Sequence, residues 1–360
     1  MVKKLWEFKE EDQDTLIRIM LKHHGDVIKK FESLHSWIYT LEVEYGEHLI
    51  AKAPRIKSEF TEKQARTRIL KMLDEIKTIH KVCLHSFIHR FGKIELVFGV
   101  PFLISAKRHM TLRDVIEKGP LDIVDVLTIS IQLARAVEYI QSKGLICHQD
   151  LKAENIFIDS IHTKFVTNGD FPYRYQAYLA DFDLVNTAVI FNQPYGSRPY
   201  QAAEQYIKKG SPKFDKIDVF ALGVNIIEML TGGIHPIGVR TTDVWPVSSL
   251  GKKWSREDPW KKWAKNPIIS RELTLDFDSK LVKFVEVLLN QNYDKRPSIT
   301  EVKKQLLDLL QEYDESAYQS LNLYIDQADS AEIVAKEAGW PYMDNLVAKV
   351  NKLFELDNYI

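Results

Sequence analysis

Residues 147–158 read CHQDLKAENIFI, which places His148, Asp150, Lys152 and Asn155 within eight residues of one another, between two apolar stretches. Polar groups at this density beside positions that favour burial are costly unless they serve a purpose, so the chain must fold in a way that holds them in a built site. Upstream, Val126, Ile129, Leu133, Ala136, Val137 and Ile140 recur at helical spacing over 121–141. Gly144 is placed to stop that helix. Downstream, Ile156-Phe157-Ile158 reads as a strand. The polar cluster is thus a loop between a buried helix and a buried strand.

The rest of the chain falls into a β-rich part and a helical part. Residues 5–30 suggest a helix followed by a first strand. The run Trp37 to Ala53, with Tyr45-Gly46-Glu47 as its turn, reads as a hairpin. Ile69, Met72, Leu73, Ile76, Ile79 and Val82 mark a helix, and strands are expected at 86–91 and 94–103. Beyond about 205 the clearest segments are helices at 218–231, 280–290 and 299–312. This order predicts an α+β fold of two lobes, a small β-rich one and a larger helical one, and ligands favour the cleft between such lobes. The expected divisions are 1–26 (helical extension), 27–106, 107–312 and 313–360 (helical extension).

With 45% hydrophobic and 28% charged residues, the composition lies far from that of disordered chains. Forty-nine Lys and Arg against 50 Asp and Glu leave a net charge of −1, so the global balance calls for no nucleic acid or acidic membrane as a partner. Cys83 and Cys147 lie on apolar stretches without zinc-ligand spacing and read as reduced core residues. No signal peptide or membrane span is legible, which predicts a cytoplasmic protein and is compatible with signal-independent export.

The loop at 148–155 resembles the protein-kinase catalytic loop H-R-D-L-K-x-x-N, matched at every position except Gln149 in place of Arg. Four further motifs follow in the family's order. Asp181-Phe182-Asp183 resembles the metal-binding D-F-G, with Asp183 replacing Gly and a longer interval after Asn155, which suggests an extended hairpin over 159–177. The same tripeptide recurs at Asp276-Phe277-Asp278 without a catalytic loop upstream. YGSRPYQAAE resembles G-T-P-x-Y-x-A-P-E, so Glu204 is expected to pair with Arg296. Asp218 and Gly223 match the D-x-W-S-x-G helix, whose Asp braces the catalytic loop.

The resemblance implies transfer of the ATP γ-phosphate with Mg²⁺. Asp150 and Lys152 are the implied catalytic residues, and Asn155 and Asp181 the implied magnesium ligands. Lys52 would grip the α- and β-phosphates with Glu75 as its helix partner and Glu62 as the alternative. Ser33 and Ser36 stand where the family's phosphate loop has glycines, and the stretch from Phe102 to Ala106 resembles the adenine-holding hinge. Lys152 and Ser197 together resemble the Ser/Thr branch, implying a protein substrate with a Ser or Thr acceptor. Gln149 implies independence from activation-loop phosphorylation, because the missing Arg is the residue that grips the phosphate.

Two other functions fit the same residues: a kinase-fold phosphotransferase acting on a sugar, lipid or small molecule, and a pseudokinase scaffold. The Trp- and Lys-rich segment 239–278 reads as an insert packed on the helical part, with single-stranded nucleic acid as the weaker alternative. The tail at 313–360, with helical spacing at Ile333, Val334, Leu346, Val347, Val350 and Leu353, could brace the fold or bind a partner.

Overall fold

The computed structural model describes residues 3–33, 35–82, 84–161, 172–185, 195–206, 213–245, 257–273 and 277–338. Within these, the chain forms two compact units. One comprises 3–82 and 90–107, the other 84–89 and 108–334.

In the first unit, helix α1 (Glu10–Leu21) precedes strands β1 (Asp26–Glu32), β2 (Ser36–Glu42) and β3 (His48–Pro54). Helix α2 (Glu62–Val82) and strands β4 (Lys93–Val97) and β5 (Val100–Ala106) complete it. The sheet is antiparallel with order β1-β2-β3-β5-β4. The turn between β2 and β3 contains Tyr45 at φ 65 and Gly46 at φ 74, the left-handed conformations that such a tight reversal requires. Helix α2 buries Ala65, Ile69, Met72, Leu73, Ile76, Ile79 and Val82 along one stripe and lays it against β3 and β5. Helix α1 packs on β1 and belongs to the same unit.

The strand expected at 86–91 is not formed; there Ile88 makes only an isolated bridge to Leu179. The single strand expected at 94–103 is instead a hairpin, reversed at Phe98 (φ 45) and Gly99 (φ 85). Positive φ at both central residues is the signature of a two-residue hairpin loop. A phenylalanine in the first of those positions is an unusual occupant, and it hides the turn inside an apolar run.

The second unit is built around α4 (Ile123–Ser142), after the short α3 (Leu112–Ile116). Asp122 caps the start of α4 by accepting the Asp125 N–H at 2.9 Å, and Gly144 ends it at φ 78. A small sheet, β6 (Met110–Thr111), β7 (Ile156–Ser160) and β8 (Tyr175–Leu179), follows, with β7 and β8 as an antiparallel hairpin. The extended connection anticipated between them, 162–171, lies outside the described residues. Helices α5 (Ile217–Thr231), α6 (Glu257–Ala264), α7 (Ser279–Leu288), α8 (Ile299–Tyr313) and α9 (Glu315–Ala338) complete the unit as far as 334. α4 packs on α5, α8 and β8. At Gly223 in α5 a Cβ would sit 3.0–3.1 Å from Leu289 and Leu288, so glycine allows the helices their close approach.

Several sequence features find structural roles here. Asp278, from the second Asp-Phe-Asp, caps α7 by accepting the N–H groups of Lys280 and Leu281 at 2.6 and 3.4 Å. Asp276 lies outside the described residues. Trp260 and Trp263 are buried edge-on to His235, with centroids 5.1 and 4.5 Å away, so these indoles serve packing; Trp254, Lys252 and Lys253 lie outside the described residues. α9 buries Ala317, Leu321 and Ile325 and ties to α4 through Arg135 and Asp329 at 2.7 Å. Leu346, Val347, Val350 and Leu353 lie outside the described residues, as does Cys83; Cys147 is buried. Among the described residues no helix is long and apolar enough to cross a membrane.

Arg296 Nη2 lies 2.5 Å from Glu204 Oε2, and both side chains are buried. Removing one partner strands the other charge away from water. Glu204→Ala should therefore lower unfolding stability by about 3–5 kcal/mol, measured by urea denaturation of the full chain. A loss below about 1 kcal/mol would show that the pair is screened by solvent.

Candidate active site

The loop at 148–155 is held from below by the first turn of α5. The Asp218 carboxylate accepts the backbone N–H of His148 at 2.7 Å and of Gln149 at 2.8 Å. Burial pushes the Asp218 carboxyl up from its ordinary range, while His148 and the two backbone donors pull it down. Gln149 takes φ 78, and the Asn225 amide donates to the Leu151 carbonyl at 3.2 Å. His148 reaches the other way: its Nε2 bonds the Ala180 carbonyl at 3.1 Å and its ring stands edge-on to Phe182 at 5.0 Å. This histidine links the loop to the segment carrying Asp181, itself at φ 65.

Asp150 sits at the centre of a clamp. Its Oδ1 accepts the Ser197 backbone N–H at 2.9 Å. Its Oδ2 accepts from Lys152 Nζ at 2.7 Å and from the Asn155 amide at 2.9 Å. Lys152 Nζ also donates to Ser197 Oγ at 2.9 Å, closing a ring of three residues, Asp150, Lys152 and Ser197, from which Asn155 branches. Burial works against the charge on Lys152, but Asp150, followed by Glu154 and Asp181, outweighs it and raises the ammonium pKa. The residue before Ser197, Gly196, has φ 100, and a Cβ there would lie 2.4 Å from the Gln149 carbonyl oxygen. Only glycine allows Ser197 this approach. The Ala180 N–H donates to the Asn155 carbonyl at 2.9 Å, which brings Asp181 to within one residue of the same cluster.

A second polar network, not legible in the sequence, lies beside the first. Arg113 of α3 donates to Glu154 at 2.9 Å, to Tyr200 at 2.7 Å and to Glu228 of α5 at 3.1 Å. Tyr200 donates to Glu228 at 2.7 Å, and Thr241 also bonds that carboxylate. Burial raises the pKa of Glu228 and of Tyr200. Spacing carries no signal for this network, since its members come from five separate segments.

In the first unit, Lys52 is central in β3, between Ile38 and Leu103, and its Nζ lies 2.8 Å from Glu75 Oε1 of α2. Glu62, the alternative partner, pairs instead with Lys4. The turn at 33–36 is closed on itself: Ser33 N–H donates to the Ser36 carbonyl at 2.9 Å. Ser33 Oγ accepts the N–H groups of His35 and Ser36 at 3.3 and 2.9 Å. The Ser33, His35 and Ser36 amides, among those expected to meet phosphate, are thus occupied locally; Leu34 lies outside the described residues. Phe102 is fully buried in β5 with its ring 6.1 Å from Tyr39, so it serves the sheet core; the strand becomes accessible from Ser105 onward.

Residues 42–307 match the protein kinase domain, and the chain belongs to that family. It is 28% identical over 274 residues to a receptor-like protein kinase sequence of Arabidopsis thaliana, covering 74% of this chain and 30% of that protein. It is 30% identical over 211 residues to the eIF-2-alpha kinase of Homo sapiens (54% and 12% covered). It is 26% identical over 185 residues to the serine/threonine-protein kinase PrkC of Bacillus subtilis (48% and 27% covered). The chain thus spans less than a third of the length of these relatives.

His235 touches the segment after Ser197 directly, bonding the Pro199 carbonyl through Nε2 at 2.8 Å and accepting the Ile237 N–H on Nδ1 at 3.1 Å. Burial pushes its pKa down from 6.5 to about 3. The unfolded chain therefore takes up this proton first, and stability present above pH 6.5 is lost as the pH falls, by about 1.4 kcal/mol per unit. His235→Gln, which keeps a donor and an acceptor but does not titrate, should lose about 2 kcal/mol less than wild type between pH 7 and pH 5. Urea unfolding at the two pH values checks this.

Proposed function

We propose that the chain is a Ser/Thr protein kinase that transfers the γ-phosphate of ATP to a hydroxyl of a protein substrate, assisted by Mg²⁺. The observation that carries this reading is the Asp150 clamp, in which a carboxylate, an ammonium, an amide and a hydroxyl converge within hydrogen-bond distance. The names of the human and Bacillus relatives point the same way, to protein hydroxyls as acceptors.

The roles follow from what phosphoryl transfer needs, which is positioning and charge neutralisation. Asp150 orients the acceptor hydroxyl and takes its proton as the new P–O bond forms and the bond to ADP breaks. Lys152, kept charged, offsets the negative charge of the transferred group. Ser197 fixes both by bonding each of them.

Magnesium fits the donor set. The Asn155 N–H group is spent on Asp150, leaving Oδ1 as its ligand atom, and Asp181 adds a carboxylate; a hard cation prefers oxygen. When bound, the ion neutralises charge on the β- and γ-phosphate oxygens. Lys52, oriented by Glu75, holds the α- and β-phosphates, and the base meets the backbone from Ser105 onward. The clamp is closed with Gln149 where an arginine would grip an activating phosphate, which supports independence from activation-loop phosphorylation.

The closed turn at Ser33–Ser36 favours a second reading, a kinase-fold scaffold that grips nucleotide weakly. The test is Mg²⁺-dependent transfer from γ-labelled ATP to the chain itself and to a generic protein substrate. Wild type should transfer label to serine or threonine, and Asp150→Ala and Asp181→Ala should each lower the rate at least about 10²-fold. Phosphatase treatment beforehand should leave the wild-type rate unchanged. No transfer and no ATP-induced thermal shift would favour the scaffold, and a shift without transfer would redirect the search to small-molecule acceptors.

A further inference from the structure

The first unit holds a second cluster of ligand-type side chains that phosphoryl transfer does not use. His23 and His24 lie in the turn Lys22–His24 between α1 and β1, and Glu95 lies on β4. Both imidazoles converge on one carboxylate oxygen: His23 Nε2 is 3.4 Å and His24 Nε2 is 3.2 Å from Glu95 Oε2. All three ligand atoms lie within 4.8 Å of one another. We propose that His23, His24 and Glu95 form a binding site for a divalent transition metal, of which Zn²⁺ is the natural occupant.

His24 Nε2 and Glu95 Oε2 are hydrogen-bonded at 3.2 Å, and the same spacing suits a shared metal. A tetrahedral zinc with bonds of about 2.0–2.1 Å to nitrogen and oxygen places its ligand atoms about 3.3–3.4 Å apart, and the two measured edges are 3.4 and 3.2 Å. Two imidazoles and one carboxylate also make a three-ligand set, leaving a fourth position for water. Nitrogen donors select zinc, cobalt or nickel over magnesium and calcium. The side chains are graded in exposure, 53% at His23, 22% at Glu95 and 7% at His24, so two ligands are half-buried while the site stays open to solvent for entry.

The ligands stand on fixed backbone. Gly25 follows the pair at φ 148, where a Cβ would meet the Glu42 carbonyl at 2.5 Å, so the turn is pressed against β2. Glu95 is registered opposite Phe102 in the β4–β5 hairpin. Lys93 lies close enough to act on His24 and opposes a cation, which sets the affinity below that of a closed four-ligand site. β1 and β4 are opposite edges of the sheet. A metal here would therefore tie the segment entering β1 to the far edge strand, and its effect would be to stabilise the first unit.

The experiment uses the full chain, stripped with chelator and titrated with Zn²⁺ alone, without nucleotide, by calorimetry and thermal melting. One ion per chain should bind with a rise in melting temperature, and Co²⁺ in its place should give the visible bands of a tetrahedral centre. His23→Ala, at an exposed position that leaves the fold undisturbed, and Glu95→Gln should each weaken Zn²⁺ binding at least tenfold. Absence of binding to wild type, or equal binding by wild type and both variants, would overturn the proposal.

Discussion

The Asp218 carboxylate is the interaction on which the candidate site depends. It is buried at the start of α5, where a carboxylate without partners would be strongly disfavoured, and two backbone N–H groups make its burial tolerable. Those two donors belong to His148 and Gln149, the residues immediately before Asp150. The loop is therefore attached to a helix that packs closely on α7 through Gly223. Asp150 inherits its position from this bond, and Lys152, Asn155 and Ser197 gather around it.

Holding that arrangement costs backbone strain. Gln149 at φ 78 and Asp181 at φ 65 are non-glycine residues in left-handed conformations, each costing on the order of 1–3 kcal/mol. They lie at the two ends of the segment that contains the β7–β8 hairpin, and His148, bonded to the Ala180 carbonyl and packed on Phe182, joins them. Strain placed on both sides of one histidine bridge suits a site whose groups must stand in fixed relative positions before substrate arrives. The neighbouring Arg113–Glu228–Tyr200 network adds a buried support for the segment just after Ser197.

Elements with a strong apolar period were legible in the sequence. The helices α4, α5 and α8 fall within a residue or two of their expected bounds, because each has a buried stripe and most have a cap or a terminal glycine. The β2–β3 hairpin was legible from Gly46. The β4–β5 hairpin was not, since Phe98 carries the turn with a residue whose chemistry says core. The polar loop at 148–155 could be read because its members are sequence neighbours. The partners Arg113, Glu154, Tyr200, Glu228 and Thr241 meet only through tertiary packing, and no local pattern marks them. Likewise, nothing in FESLHSWI announces that Ser33 would close its own turn and occupy amides expected to face phosphate.

Preorganisation of Asp150 depends most directly on Gly196. A methyl group there would collide with the Gln149 carbonyl oxygen and displace the Ser197 N–H from Asp150, while touching no residue assigned to nucleotide. Steady-state kinetics of Gly196→Ala should show kcat reduced by about 10²-fold with KM for ATP unchanged. A kcat equal to wild type, or a defect confined to KM for ATP, would contradict that dependence.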